Sequence, residues 1–383
     1  DLGLVLVRLQ WHTDDELTVL QVFERLETLE QMNGVGSVDE KMLYLKKLLH
    51  DLDPVSAKFV IRIILGSLRL GFSDMTLIDA LSWMVTGNKS LRPVLEDAYN
   101  VCADLGLIAA TLKSHGVDAI TSMRVHVGIP IRPSAAERLP NAKAVIEKIG
   151  SCAAEPKIDG FRLQLHIDMT TKPETIKFFS RNLIDMSLMF PELTDSCKNL
   201  NVKTLICEGE AVAYDPDTQS FLPFQETVKR KRKYGIKEMS QEFPLRIFIF
   251  DILYLDGNDL MGLPYMQRRK ILASLVPADT SAVISMIQEK HVTTIKELED
   301  YFYQTVSAGL EGIVVKRLHA RYVPGKRNFN WIKLKRQEEG HLEDTIDCVI
   351  LGYYSGSGKR ASFGIGAFLV GIFNESHDRF ETI

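Results

Sequence analysis

No C-x-x-C pair occurs among the five cysteines, Cys102, Cys152, Cys197, Cys207 and Cys348, which lie scattered along the chain. That spacing supports neither a disulfide framework nor a zinc site, and it suits a reducing compartment. Long apolar runs are missing as well. The most apolar stretch, Arg246 to Leu255, is interrupted by Asp251 and reads as a buried strand, too short to span a bilayer. Secretory leader, low-complexity tract and internal repeat are all lacking. Nor is there a surplus of positive charge: the formal net charge is −4, so any nucleic-acid surface must be a local patch set against acidic faces. What remains is an ordinary globular composition, 45% hydrophobic and 25% charged over 383 residues. That length accommodates two or three domains with their own cores. The chain opens at Asp1 and not at methionine, and the expectation is a fragment, or the ordered part, of something longer.

The first third reads as helical. Ser37-Val38-Asp39-Glu40 has the pattern of a capping box, and Met42, Leu45, Leu48 and Leu49 follow at helical spacing. Asp53-Pro54 begins a second helix, expected to turn Phe59, Val60, Ile63 and Ile64 inward and to end at Gly66. Lys58, Arg62 and Arg69 are left to share a polar flank. A third start falls at Ser73-Asp74, ahead of Leu77, Ile78 and Leu81. The run Gly128-Ile129-Pro130-Ile131-Arg132-Pro133 breaks the helical pattern and marks the first domain boundary, closing a helical domain over 1–126. Beyond it the period changes. Phe161, Leu163 and Leu165 alternate with Arg162, Gln164 and His166, the mark of a half-buried strand. Further strands are expected at 204–214, 245–255, 312–316 and 331–335, with helices at 265–275 and 294–308, a mixed α+β domain over 127–337. After the charged segment 338–344, strands at 346–354 and 367–373 flank a glycine- and serine-rich loop at 355–360. Residues 338–383 hold too few strands to close a β-domain.

Lys157 stands in Glu155-Pro156-Lys157-Ile158-Asp159-Gly160, at the entry to a strand. Lys333 and Lys335 lie two residues apart in Trp331-Ile332-Lys333-Leu334-Lys335, so both ammonium groups share one strand face. One attacking amine opposite two fixed cations points to phosphorus chemistry: covalent capture of a nucleotide. Alone, the K-x-D-G tetrapeptide is weak, arising by chance in about one chain in ten of this length, and the plain alternative is a solvated lysine. The partners shift that balance. Cys207-Glu208-Gly209-Glu210, Phe248-Ile249-Phe250-Asp251, Glu311-Gly312-Ile313-Val314-Val315-Lys316 and the lysine pair follow in order. On pattern alone Phe250 still reads as core, Glu210 as a strand-end carboxylate, and the lysine pair as an amphipathic edge strand. The histidines, His166 among them, lack metal-ligand spacing and read as structural or surface residues.

This ordered set resembles the nucleotidyltransferase signature of ATP-dependent DNA ligases, over nearly the whole chain. The segment Ile63-Ile64-Leu65-Gly66-Ser67-Leu68-Arg69-Leu70-Gly71 resembles that family's DNA-binding domain. Pro130-Ile131-Arg132-Pro133, Pro264-Tyr265-Met266-Gln267-Arg268-Arg269 and Tyr322-Val323-Pro324-Gly325-Lys326-Arg327 match it too, and the tail resembles the start of its oligonucleotide-binding (OB) barrel. The implied fold is multidomain: an all-α DNA-binding domain, an α+β nucleotidyltransferase domain over 127–337, and an incomplete β OB-fold domain over 338–383.

The resemblance implies a DNA ligase that seals nicks in double-stranded DNA, using ATP and Mg²⁺. Lys157 would attack the α-phosphorus of ATP and expel pyrophosphate. AMP would then pass to the 5′-phosphate at the nick, and the 3′-hydroxyl would displace it. Only an unprotonated amine can attack, and Lys333, Lys335 and Mg²⁺ would disfavour the charged form of Lys157. Carried over residue by residue, Glu155 would read the adenine amino group and Phe250 would stack on the purine. Arg162 and Glu210 would hold the ribose side, with Glu210 also near metal. Glu311 is the main Mg²⁺ carboxylate, and Arg327 a phosphate candidate. Arg181 would meet the nick's 5′-phosphate. The basic run at 229–233, read alone as an import signal, a solvated face or a phosphate contact, then becomes a DNA surface through Lys229, Arg230 and Lys231. Lys58, Arg62 and Arg69 join it in sequence-neutral contacts.

RNA ligases and capping guanylyltransferases share the core motifs, but the helical segment ahead of Lys157 argues against both. A non-catalytic DNA-end-binding scaffold is disfavoured by the intact lysines and carboxylates. NAD is disfavoured as donor, since no nicotinamide module or zinc-binding cysteines accompany the motifs. In this family the rest of the barrel supplies a basic motif that orients pyrophosphate, so this segment is expected to adenylylate itself poorly and a longer parent well. The expectation is a monomer, neither secreted nor in a membrane, in the cytoplasm with the nucleoid in a prokaryote and in the nucleus in a eukaryote.

Overall fold

The computed structural model describes residues 1–383 except 10, 14, 15, 33, 35, 216, 217, 219, 232–234, 277–281, 337–347, 356–363, 375–378 and 383. The chain divides into two compact units, Asp1–Lys89 and Ser90–Ile383. Among the described residues no helix is long and apolar enough to cross a membrane.

The first unit holds helices Leu2–Leu9, Val19–Gln31, Ser37–His50, Pro54–Ile64 and Asp74–Thr86. Its core gathers Leu48, Leu52, Ala57 and Val60, and Trp11 Nε1 closes it by donating to Leu52 O at 2.8 Å. Asp53 caps its helix as the Asp-Pro pair predicts, accepting from the amides of Val55 and Ser56 at 2.9 and 3.1 Å. The capping box expected at Ser37 does not form. Ser37 is already the first helical residue, and the cap is Gly36 in the left-handed region at φ 86°. Ile63 and Ile64 are exposed and not inward, because the buried row through Ala57 and Val60 stops short of the last turn. Arg62 is corrected too. Its guanidinium turns inward, 2.7 Å from Asp1 Oδ2 and 3.1 Å from Leu68 O, so it is no part of an open flank. Arg69 stays on the surface, and half-buried Lys58 lays its ammonium 4.4 Å from the Phe59 ring centre.

The second unit begins with helices Arg92–Val101 and Leu105–Thr121. The proline-rich run that follows them is bonded to them as a strap. Arg132 N donates to Asn100 O at 2.9 Å and Ala103 N to Pro130 O at 2.9 Å. Arg132 also reaches Asn100 Oδ1 at 2.9 Å. Fourteen strands are described: β1 (Ala135–Arg138), β2 (Cys152–Pro156), β3 (Phe161–Asp168), β4 (Thr175–Ser180), β5 (Thr204–Ala213), β6 (Leu245–Leu255), β7 (Asn258–Asp259), β8 (Ile284–Met286), β9 (Lys290–Val292), β10 (Gly312–Arg317), β11 (Arg327–Lys335), β12 (Val349–Ser355), β13 (Ile365–Asn374) and β14 (Arg379–Thr382). One sheet runs β1-β11-β10-β2-β9, and a second β4-β3-β5-β6-β7, with β8 parallel to β6. The small sheet β12-β13-β14 is antiparallel. Its third strand was not expected, and the expected glycine-serine loop lies, beyond Ser355, outside the described residues.

Helices Pro191–Cys197 and Tyr265–Leu275 pack on the second sheet, and helices Ala142–Ile149 and Ile295–Ser307 on the first. A further cluster with Ile158, Phe248, Phe250, Tyr322 and Trp331 joins residues of both sheets. Helix Tyr265–Leu275 is pinned to β6 by a buried fork, Arg268 Nε and Nη2 at 2.7 and 2.9 Å from the Asp251 oxygens.

Strand β3 is buried on both faces and not on one, because the strap lies along its polar side. Ile131 N donates to Gln164 Oε1 at 2.7 Å, and Gly128 N to His166 Nδ1 at 3.0 Å. His166 Nε2 lies 2.8 Å from Gln164 Oε1. With Nδ1 accepting, Nε2 carries the hydrogen and the ring is neutral. Burial, helped by Lys177, pushes the His166 pKa from 6.5 down to about 3. The unfolded chain therefore takes up a proton below about pH 6.5 that the native state refuses until about pH 3. This stabilisation is complete above that window and is lost as pH falls through it. Between pH 7 and 4.5 the wild type is expected to lose ~2–3 kcal/mol more than His166→Gln, read by urea unfolding at both values. Equal losses would remove the neutral buried ring as the cause.

Candidate active site

A cleft of about 470 Å³ opens between the two large sheets, lined by residues from β2, β3, β5, β6, β10 and β11. Lys157 directly follows β2, its amide donating to Gly312 O at 2.8 Å. Two motif glycines make this closeness possible. Gly312 sits at φ 136°, where a Cβ would collide with Leu334 O, and a Cβ on Gly160 would strike Ala211 O. The glycine in each motif thus answers to a neighbouring strand's carbonyl, and the charged residue beside it is held by the same approach.

At one end of the cleft Lys157 Nζ pairs with Glu311 Oε2, and Lys335 Nζ lies 3.0 Å from the same oxygen. The sequence set one amine opposite two cations; the structure interposes a carboxylate. Burial, with the charges of Arg327, Lys335, Arg181 and Lys157, holds the Lys333 ammonium below the usual lysine range. Five cations thus share one field, which fits a polyanion. The carboxylates respond in opposite senses. Burial raises the Glu210 carboxyl to about 7, against the pull of Lys157 and Arg162. Burial also works on Glu311, but its bonds to Lys157 and Lys335 outweigh it and hold that carboxyl low. Asp159 is raised by burial and by the charge of Glu311.

At the other end Glu155 is fully buried. Lys316 Nζ donates to its Oε1 at 2.9 Å and lies 2.8 Å from Oε2, and Tyr265 OH donates to Oε1 at 2.7 Å. Burial raises the Glu155 carboxyl, with Lys316 and Arg269 opposing. The Phe250 and Trp331 rings meet edge to face with centres 5.8 Å apart, and Lys316 sits 4.8 and 4.7 Å from them. Arg162 forks onto Glu208 at 2.9 and 3.1 Å, donates to Ser134 O at 2.8 Å, and presents its guanidinium 5.5 Å from the Phe250 ring centre.

Lys157, Glu155, Arg162, Glu210, Phe250, Glu311, Lys333, Lys335, Arg327, Arg181 and Lys231 all line this one cleft. Lys229 is exposed, 2.7 Å from Glu226. Arg230 is corrected: its side chain is wholly buried, with Nη2 2.5 Å from Glu192 Oε1 and 3.1 Å from Met189 O. A guanidinium so held anchors helix Pro191–Cys197 and offers nothing to a phosphate. Arg232 and Lys233 of the same run lie outside the described residues. Asp159, Lys316 and Trp331 also line the cleft, although sequence reasoning gave them no role. Val314 and Lys316 face the cleft while Ile313 and Val315 enter the core, so a period of two was the available signal.

Among the described residues no group of three or more His, Cys, Asp or Glu side chains could hold a metal alone. Glu210 and Glu311 supply oxygen donors only, a set that suits Mg²⁺ completed by water and phosphate oxygens and not Zn²⁺.

The family model described as the ATP dependent DNA ligase domain matches residues 133–335, and the DNA ligase N terminus model matches 1–82. The chain belongs to the ATP-dependent DNA ligase family. It is 46% identical over 385 residues to a probable DNA ligase of Dictyoglomus thermophilum, across 100% of this chain and 65% of the relative. It is 40% identical over 371 residues to DNA ligase 2 of Thermofilum pendens, across 96% of this chain and 61% of that protein. It therefore spans somewhat less than two thirds of either relative. A solved structure described as Pmar-Lig_PreS3 superposes with TM-score 0.53 at 16% identity, over 98% of this chain and 74% of that one, a likeness of fold.

Proposed function

We propose that the protein carrying this chain is an ATP-dependent DNA ligase that seals nicks in double-stranded DNA through a lysyl–AMP intermediate. The observation that supports this above all others is a single cleft holding Lys157 beside Glu311, Lys333 and Lys335 at one end and Glu155 and Phe250 at the other. A purine enters over Phe250 with its amino group toward Glu155, and Arg162 and Glu210 face the ribose. The triphosphate extends toward Lys333, Lys335 and Arg327. The Lys157 amine forms a P–N bond to the α-phosphorus as the P–O bond to pyrophosphate breaks. Glu311, with Glu210, would hold Mg²⁺, which would neutralise phosphate charge. Arg181 meets the 5′-phosphate, and Lys231, Lys229, Lys58 and Arg69 contact the duplex backbone. Residues 338–383 begin an OB-fold domain that completes the enzyme, which works as a monomer.

Incubation of the whole protein with α-labelled ATP and Mg²⁺, followed by peptide mapping, tests the reading. Label is expected on Lys157 and to pass to the 5′ end of added nicked DNA. Label on another residue, or none, overturns it.

A further inference from the structure

The segment Pro264-Tyr265-Met266-Gln267-Arg268-Arg269 carries a tyrosine whose hydroxyl touches two acids at once. Tyr265 OH is 2.7 Å from Glu155 Oε1 and 2.6 Å from Glu289 Oε2. A phenol has one hydrogen, and here it stands between two acids. Lys316 donates to Glu155 Oε1 at 2.9 Å and its ammonium lies 2.8 Å from Oε2, so Glu155 is met by donors and the phenol is clamped between that carboxylate and Glu289. Burial, with the charges of Glu155 and Glu289, pushes the Tyr265 phenol far above its usual range, so its own hydrogen stays in place.

Glu289 is itself held. Arg269 Nε lies 3.4 Å from its Oε2, and His291 Nε2 lies 3.2 Å from its Oε1. Arg269 also donates to Ile287 O, and Ile287 lines the cleft. One helix thus fixes both the acid behind the tyrosine and part of the cleft wall.

We infer that Tyr265 and Glu289 are positioning residues for base choice: they lock Glu155 as a hydrogen-bond acceptor, so the cleft takes a 6-aminopurine nucleotide over a 6-oxopurine one. An acceptor carboxylate meets an exocyclic amine favourably and an exocyclic carbonyl unfavourably. An acid free to rotate or to carry a hydrogen loses that distinction. The inference rests on Glu155 facing the base, as proposed above. Glu289 does not line the cleft and reaches Glu155 through Tyr265 and through Arg269, which lies 3.4 Å from Glu289 Oε2 and 3.9 Å from Glu155 Oε1.

The test measures labelling of Lys157 in the whole protein by ATP and by inosine triphosphate, for wild type, Tyr265→Phe, Glu289→Ala and Glu289→Gln. Tyr265→Phe and Glu289→Ala are expected to lower the ATP preference about tenfold or more, mainly through KM for ATP, with kcat changed little. Glu289→Gln, whose amide can donate to the phenol oxygen, is expected to keep the wild-type preference. A merely structural role would slow both nucleotides in proportion and leave the ratio alone, which overturns the inference. Should Tyr265→Phe misfold in a thermal melt, the Glu289 pair carries the comparison by itself. Absence of label on wild-type Lys157 is a separate result, since it removes the proposed function and not only the role of Tyr265.

Discussion

Lys157→Ala is expected to take no label from α-labelled ATP while melting within a few degrees of the wild type. The side chains of the Lys157–Glu311 pair are 22% and 31% exposed, and pairs of that kind contribute only ~0–1 kcal/mol. Removing Lys157 leaves Glu311 still 3.0 Å from Lys335, so no carboxylate is stranded. Loss of labelling with an intact melt therefore isolates the nucleophile. Lys157→Arg sharpens the test, because a guanidinium keeps the positive charge and the pairing but does not yield a free amine. If charge at that position were the whole contribution, the arginine protein would still take label. Labelling of either variant at Lys333 or Lys335 would transfer the nucleophile to β11.

What could be read from the residues, and what could not, separates by range of interaction. Strand β6 and helix Tyr265–Leu275 begin and end at the expected residues, since a mostly apolar run and a proline ahead of a helix are local signals. The strap at 128–134 was legible only in part. Its prolines mark the end of the helical pattern, but its polar groups bond to Asn100, Gln164 and His166, and those partners lie far off in sequence. Arg230 went astray for a like reason: within a basic run it reads as solvated, and its acid, Glu192, is 38 positions upstream. In the cleft, the order of the motifs brought Lys157, Glu210, Glu311 and the lysine pair to notice. That Glu311 bridges two of the lysines depends on strand register, Gly312 lying opposite Lys335, which no single motif contains.

Lys316→Met is expected to cost ~3–5 kcal/mol of stability, the range for removing one partner of a buried ion pair. Lys316 is 1% exposed and its ammonium also donates to Phe250 O at 2.8 Å. Methionine fills nearly the same volume, so lost packing explains little of the effect. The cost comes from Glu155, left charged and dry without its main cation. That origin has a consequence in pH. Without Lys316 the buried Glu155 carboxyl rises further above the unfolded value near 4.3, so in acid it is neutral and the penalty is small. The penalty then grows as pH rises above that value, since ionisation continues in the unfolded chain and is resisted in the native one. Adding Glu155→Gln removes the charge altogether. The double variant is expected to recover much of the stability and to lose the dependence on pH, while base recognition stays impaired. Urea unfolding of the single and double variants at pH 5 and pH 8 decides. If Lys316→Met loses less than ~1 kcal/mol, or the second substitution brings nothing back, then the pair does not govern this end of the cleft.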